Sequence, residues 1–322
     1  MQQPASSPHP SAWTLTDGHA GNRRQALALA QALGVVAQDW ALQARAPWRW
    51  LAPRRLPRAT AAFGPDFRTA LATPPALAIG CGRQGALASR LARERDAWAV
   101  QILDPRIDPH LWDLVVVPEH DRVRGPNVIT LLGSLHPVDD AWLAQARLDH
   151  AAQLSTAGAF TALLVGGASA HAHLDDAGFD ALLATLLART AADGEHLWIT
   201  ASRRTPATWR ARLEALRSTA NVRVWCDERD GPNPYAALLA GATRIVCTAD
   251  SVNMLSEACA THAPVFVAGV DALQGRPRAF VDALLARGRL QRVDASLAPF
   301  DVTPLRETER VARLVRERLA AA

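Results

Sequence analysis

The feature that most constrains this chain is an alternation. Short, nearly continuous apolar runs end in glycine or small polar residues, and stretches of helical periodicity separate them. Runs buried on both faces, joined through helices, are what a parallel sheet requires, because parallel neighbours need a crossover of a dozen or more residues. The pattern predicts strands at 12–15, 77–79, 99–103 and 114–117, with helices at 23–33 and 84–93. Gly34 stands where a helix C-cap glycine belongs. After a helical and then loose stretch at 135–158 the pattern restarts, with strands at 162–165, 196–200, 222–225, 244–247 and 264–267. Helices are expected at 179–189, 208–217, 234–240 and 252–260, and a charged amphipathic helix at 304–319. The reading is α/β, with two Rossmann-like doubly wound domains facing across a cleft at their strand C-termini.

A length of 322 residues fits two domains of about 150 each. The expected division is a disordered tail at 1–11, a first domain at 12–155, a second at 156–303, and a final helix at 304–322. No apolar stretch reaches the roughly 18–20 residues of a membrane span, and no basic segment followed by an apolar one marks a secretory signal. All 35 basic residues are arginine. Without lysine, a Walker-type phosphate loop and Schiff-base chemistry are excluded. Lysine-free, Ala- and Arg-rich usage suggests a GC-rich bacterial genome. A net charge of +4 favours anionic ligands weakly and does not argue for nucleic acid. Cys81, Cys226, Cys247 and Cys259 have no CxxC spacing and lie in or beside apolar runs. Buried reduced thiols follow, with neither a disulfide framework nor a metal site, and a cytoplasmic location is expected.

Four loops fall at one end of the second predicted sheet. In the segment VCTADSVNMLSEA, a buried strand gives way to a helix capped by Asp250 or Ser251. Free N–H groups and the helix dipole make such a terminus a phosphate site, and the Ser251 hydroxyl could donate to the same anion. Glu257 lies two turns along the helix, placed to accept ribose hydroxyls. The same residues would also serve as a plain cap, and an acid there competes with an anion. Gly166 and Gly167, followed by Ser169, come after the first strand of the second domain, where missing side chains let a ligand approach backbone. Arg203 and Arg204 in SRRTP could fork onto phosphate oxygens. Asn233 and Tyr235, in DGPNPY, form a rigid turn that could wall a base pocket.

The first domain is less decided. TDGHAGN joins a strand to a helix but lacks the dinucleotide spacing, whereas Gly80, Gly82 and Gly85 match GxGxxG without the acid that binds ribose. That leaves a nicotinamide enzyme, such as a sugar-nucleotide epimerase, as a minor alternative. Asp17, His19, Asp104, Glu119 and His120 follow three different strands, and any could deprotonate an acceptor hydroxyl or simply brace its loop. Residues 40–58 combine Trp40, Trp48 and Trp50 with five arginines and no acid. Such a stretch suits an anionic membrane surface, or else packs as a Pro-broken loop.

Taken together, TDGHAGNRRQALALAQALG, VQILDPR, DLVVVPEHDRVRGPNV, LLVGGASAHAHL, SRRTP, GPNPYAALLA and TADSVNMLSEACATHAPVFV resemble the mitochondrial fission ELM-like family, in order, over about residues 13–319. The second half also looks like the donor domain of GT-B glycosyltransferases. That resemblance implies a GT-B-like fold whose last helix crosses back to the first domain. It implies a metal-independent, cofactor-free transferase using a nucleoside-diphosphate sugar, a UDP-sugar first, with a lipid-linked or saccharide acceptor. By the same resemblance Gly167 and Ser169 approach the diphosphate, Ser251 and Asn253 cap it, and Glu257 holds the ribose, with Met254 a further binding candidate on the same helix. His19 occupies the neighbourhood of the GT-B base without matching its motif position. The family also implies an alternative, a non-enzymatic interaction protein peripheral at the inner face of a membrane.

Overall fold

The computed structural model describes residues 11–167 and 174–321. The chain forms two compact units, one running to Pro137 and taking up the chain again from Glu307, the other Val138–Arg306. The first unit holds β1 (Ala12–Thr16), β2 (Ala37–Ala41), β3 (Leu77–Cys81), β4 (Trp98–Ile102), β5 (Leu114–Pro118) and β6 (Val128–Leu131). They pair in the order β2-β1-β3-β4-β5-β6, all parallel, with Leu15 of β1 opposite both Trp40 and Gly80. The second unit holds β7 (Phe160–Val165), β8 (His196–Ala201), β9 (Val222–Trp225), β10 (Arg244–Thr248), β11 (Val265–Ala268) and β12 (Gln291–Arg292). Their order is β12-β11-β10-β7-β8-β9, again all parallel, with Leu164 opposite Thr200 on one side and Cys247 on the other.

These orders decide where ligands can enter. In the second sheet the chain first winds outward from β7 through β8 to β9, then returns to β10 on the opposite side of β7. The crossovers on the two sides of that point cover opposite faces, which opens a crevice beyond the C-termini of β7 and β10. The first sheet has the corresponding reversal between β1 and β3.

The strands form because their side chains are buried on both faces. Every residue of β1, β3, β5, β7 and β10 is buried. Phe160 stacks on Trp198 with centroids 4.4 Å apart on one side of β7–β8, and Phe179 stacks on Trp209 at 4.1 Å among the helices of the other. Local signals set the helix ends. The Asp175 carboxylate accepts from Gly178 N at the start of helix Asp176–Asp193, and Gly194, at φ 67°, closes it. All four cysteines are free and buried.

Several expectations need correction. The boundary lies at 137/138 rather than 155, because helices Asp140–Asp149 and Ala151–Ser155 pack on helix Tyr235–Gly241 of the second unit. The last helix is Glu307–Ala320 and packs on helix Ala20–Leu33. Glu307 accepts from Leu132 N at 2.7 Å, and Thr308 bonds both N and O of His136, anchoring that helix start in the first unit. β2, β6 and β12 were not anticipated. β2 is a polar edge strand whose Asp39 accepts from Thr14 at 2.7 Å, and β12 is only two residues long. Within residues 40–58, Trp40 and Trp48 pack on the cluster around Trp13 and Phe67, as expected of a Pro-broken loop, but the stretch also contains the short helix Trp48–Leu51.

Candidate functional site

The crevice between β7 and β10 is built around Asp250. Ser251, not Asp250, caps helix Val252–Cys259, its Oγ accepting from Met254 N at 3.4 Å. Asp250 turns the other way and accepts from Thr248 Oγ1 at 2.6 Å, Gly167 N at 2.7 Å and Arg204 Nη2 at 3.3 Å. Thr248 Oγ1 in turn accepts from Gly166 N at 2.8 Å. Ser202 Oγ and Thr205 Oγ1 both donate to the Gly166 carbonyl, at 2.9 and 2.5 Å. The end of β7 is therefore tied to β8 on one flank and β10 on the other. Both glycines are steric requirements. A Cβ at Gly166 would run into the Asp250 carboxylate, and one at Gly167 would run into the backbone carbonyl of Arg204.

Burial pushes the Asp250 carboxyl above its ordinary range, and the hydrogen bonds from Thr248 and Gly167 with the charge of Arg204 only partly offset it. A cavity of about 300 Å³ opens beside this carboxylate, lined by Gly167, Asp175, Asp176, Trp209, Thr248 and Asp250 among others. Asp176 is already engaged, accepting from Trp209 Nε1 at 2.9 Å and pairing with Arg212 at 3.1 Å.

The remaining predicted residues fall around this centre. Arg204 is half exposed and directed at Asp250, and Arg203 is exposed. Asn253 and Met254 lie half-buried in the first turn of the capped helix. Glu257 is buried and accepts from the Tyr235 hydroxyl at 2.5 Å, so the two residues are joined across helices Val252–Cys259 and Tyr235–Gly241. Asn233 is exposed and its side chain accepts from Tyr235 N at 2.9 Å, fixing the turn that positions that ring. Ser169 lies outside the described residues.

In the first unit Asp17 and His19 follow β1, Asp104 follows β4, and Glu119 and His120 follow β5. Asp17 Oδ1 accepts from His19 N at 3.1 Å and Asn22 Nδ2 at 3.0 Å, while the His19 ring is exposed, 3.9 Å from the other carboxylate oxygen. Asp104 accepts from Arg106 N at 2.7 Å, and Glu119 and His120 are half-buried. Three strand spacings separate β1 from β5, about 14 Å at ~4.8 Å each. The Asp17–His19 pair and the Glu119–His120 pair are therefore separate places along one sheet edge. The GxGxxG glycines have packing explanations. Gly82 has φ 76° against Asn22, and a Cβ on Gly85 would strike the Leu15 carbonyl.

Sequence reasoning named the arginines of SRRTP and passed over Ser202 and Thr205, whose hydroxyls hold the glycine turn. It also passed over Thr248 and the pair Asp175–Asp176. The signal was available, since hydroxyl residues at strand ends are loop-bracing groups.

Comparison with known proteins places the chain. It is 29% identical over 280 residues to the mitochondrial fission protein ELM1 of Arabidopsis thaliana, covering 77% of this chain and 64% of that protein's length. It is 23% identical over 356 aligned positions to an uncharacterized protein of Rickettsia prowazekii (strain Madrid E), covering 94% of this chain and 97% of that one. Among solved structures, UDP-GlcNAc 2-epimerase from Methanocaldococcus jannaschii matches with TM-score 0.59 and 11% identity, covering 95% of this chain and 99% of that one. The UDP-GlcNAc-bound 2-epimerase of Neisseria meningitidis matches at TM-score 0.53 and 11% identity, covering 97% of this chain and 100% of that one. At that identity the likeness concerns the fold, which is the two-domain GT-B-like α/β arrangement. The model of the family described as mitochondrial fission ELM1 matches residues 20–319, and the chain belongs to that family.

Proposed function

We propose that this protein is a metal-independent glycosyltransferase that takes its sugar from a nucleoside diphosphate, a UDP-sugar first among them. The observation carrying the proposal is the construction at the switch point of the second sheet. A glycine turn is braced by Thr248, Ser202 and Thr205, and a helix begins at Ser251 immediately beside it. The diphosphate would take the Ser251 hydroxyl and the first-turn amides of Val252 and Asn253, with the helix dipole behind them. Arg204 would move from Asp250 to the phosphate, and Arg203 would join it from solvent. Glu257, held by Tyr235, would receive the ribose hydroxyls. The fold is shared with proteins solved with UDP-GlcNAc, which supports a nucleotide-sugar ligand.

In the reaction the bond between the sugar's anomeric carbon and the diphosphate oxygen breaks as one to the acceptor oxygen forms. The nucleoside diphosphate leaves with the bonding electrons, stabilised by the helix terminus and guanidinium groups. The acceptor hydroxyl gives its proton to a base, for which the first unit offers Asp17 with His19, or Glu119 with His120. The acceptor class proposed is lipid-linked or saccharide.

A second reading has one observation in its favour. Asp175, Asp176 and Asp250 give the crevice more acid than base, which disfavours a diphosphate. Under that reading the chain is a non-enzymatic interaction protein, in line with the fission role named for the plant relative. Titration calorimetry with UDP-, GDP- and ADP-sugars separates the two. The transferase reading expects saturable binding that weakens about 10- to 100-fold in Arg204→Ala, the effect of losing a hydrogen bond to a charged group. A folded sample that binds none of them removes it.

A further inference from the structure

The segment between β2 and β3 carries a surface that the nucleotide-sugar reading does not use. In the one-turn helix Trp48–Leu51, Trp48 is half-buried against the core cluster around Trp13 and Phe67. Trp50 and Leu51 point outward, 64% and 40% exposed. Arg83 holds that orientation by donating to the carbonyls of Trp50 and Ala52, at 2.9 Å each. The outward pair is therefore built in rather than a product of a loose chain. Around it Arg45, Arg49, Arg54, Arg55 and Arg58 are all exposed, and residues 40–65 contain no acid. Arg55 pairs with Glu94, while among the described residues no carboxylate pairs with Arg45, Arg49, Arg54 or Arg58. Arg49 lies over the Trp50 ring at 6.0 Å, so charge and indole share one edge of the patch.

We propose that this patch is a peripheral anchor to an anionic lipid surface, with Trp50 and Leu51 entering the headgroup layer and Arg45, Arg49, Arg54 and Arg58 meeting lipid phosphates. The chemistry is that of an interfacial element: an amphipathic indole at headgroup depth, an aliphatic neighbour, and long cationic side chains able to snorkel. Among the described residues no helix is long and apolar enough to cross a membrane, so the contact lies in the interface plane. One turn with two apolar side chains falls well short of the roughly 800 Å² per partner of a stable protein interface. Single-stranded nucleic acid prefers a row of stacking aromatics, and this patch exposes one. Lipid asks only for what is present. The proposal uses first-unit residues alone and holds whether or not the second unit binds a nucleotide.

The test is co-sedimentation of the full chain with phosphatidylcholine vesicles, with and without phosphatidylglycerol, at about 0.1 M salt. The wild type is expected to partition onto the anionic vesicles, stay off the neutral ones, and be released near 1 M salt. Arg49→Gln with Arg54→Gln and Arg58→Gln should lower partitioning about 100-fold, at about fivefold per arginine. Trp50→Ser with Leu51→Ser should lower it at least about tenfold. All five positions are exposed, so circular-dichroism melting should match wild type and separate lost anchoring from lost folding. Equal binding to neutral vesicles, no binding to anionic ones, or variants that partition like wild type would overturn the proposal. So would tighter binding to single-stranded RNA, sensitive to the same substitutions.

Discussion

Replacing Gly166 with alanine tests whether the glycine turn exists to make room for Asp250. The three atoms nearest to the added methyl are the two carboxylate oxygens and Cγ of Asp250, with Cγ at 2.5 Å. Since all three belong to one side chain, the carboxylate must move and release Gly167 N and Thr248 Oγ1. Overpacking costs about 1–3 kcal/mol, and each buried donor left without an acceptor about 1–3 kcal/mol. Gly166→Ala should therefore destabilise the second unit by about 3 kcal/mol or more. Asp250→Ala strands the same donors and should cost about 2–3 kcal/mol. It also removes every atom that the methyl meets. In the double variant the methyl enters vacated space, so the total should stay near the Asp250→Ala value, a coupling of about −3 kcal/mol or stronger. Urea unfolding followed by far-UV circular dichroism measures the cycle, and hydrogen exchange at the Gly166 and Gly167 amides gives the local counterpart. Effects that add to within about 0.5 kcal/mol would refute the steric argument.

Other consequences follow from the same geometry. Tyr235→Phe removes the donor to buried Glu257 and should lower stability by about 1.5–3 kcal/mol in chemical denaturation, as a hydrogen bond to a charged group does. Arg244 is buried and reaches Asp193, Glu195 at 2.7 Å, Thr161 Oγ1 at 2.8 Å and the Leu297 carbonyl at 3.1 Å. Arg244→Met should cost about 3 kcal/mol, because it leaves Glu195 largely buried without its cation and Asp193 with Arg189 alone; a loss under about 1 kcal/mol would contradict that burial. Asp250, with its carboxyl raised by burial, keeps its proton in the folded state at pH values where the unfolded chain has lost it. Its cost is absent below the ordinary value of 3.8 and grows as pH rises from there to the raised folded value, above which it is complete. Asp250→Asn should flatten the fall of stability with pH across that window, and parallel wild-type and variant profiles would reject it.

Much of this fold is legible in the sequence because parallel strands buried on both faces leave continuous apolar runs, as LLV and IVC do. The unforeseen strands lack that signature. β2 reads Ala-Gln-Asp-Trp-Ala, since an edge strand places Gln38 and Asp39 where polar groups are tolerated. The boundary was misplaced for a different reason. Helix Asp140–Asp149 has the composition of any amphipathic helix, and only its contact with Tyr235–Gly241 assigns it to the second unit. At the site, the loops at the ends of β7, β8 and β10 were visible as glycine, arginine and hydroxyl clusters. Their hydrogen bonds were not, because strand order decides which loop reaches which, and β10 comes to lie beside β7 only through a crossover from β9 back past β8 and β7.

The two switch points use an aspartate in the same way, and this bears on which residues can act on a substrate. Asp17 beside β1 accepts from His19 N and Asn22 Nδ2; Asp250 beside β10 accepts from Gly167 N and Thr248 Oγ1. A carboxylate that accepts from two donors at a strand end braces the loops that meet there. A base must instead keep a lone pair free to face the acceptor. Under the transferase reading the exposed His19 ring can face an acceptor, while Asp17 Oδ1 holds the turn that presents it. Likewise, the groups of the second unit able to follow a leaving phosphate are Ser251 and Arg204, because each is held by a single contact that a diphosphate could replace. Asp17→Ala and His19→Ala should then differ in kind. The first should raise hydrogen exchange at the backbone amide of residue 19, and the second should leave that exchange unchanged while removing, under the transferase reading, turnover of the accepted sugar nucleotide. Equal exchange in both variants would show that Asp17 is no brace, and the division of roles between the two residues would fall with it.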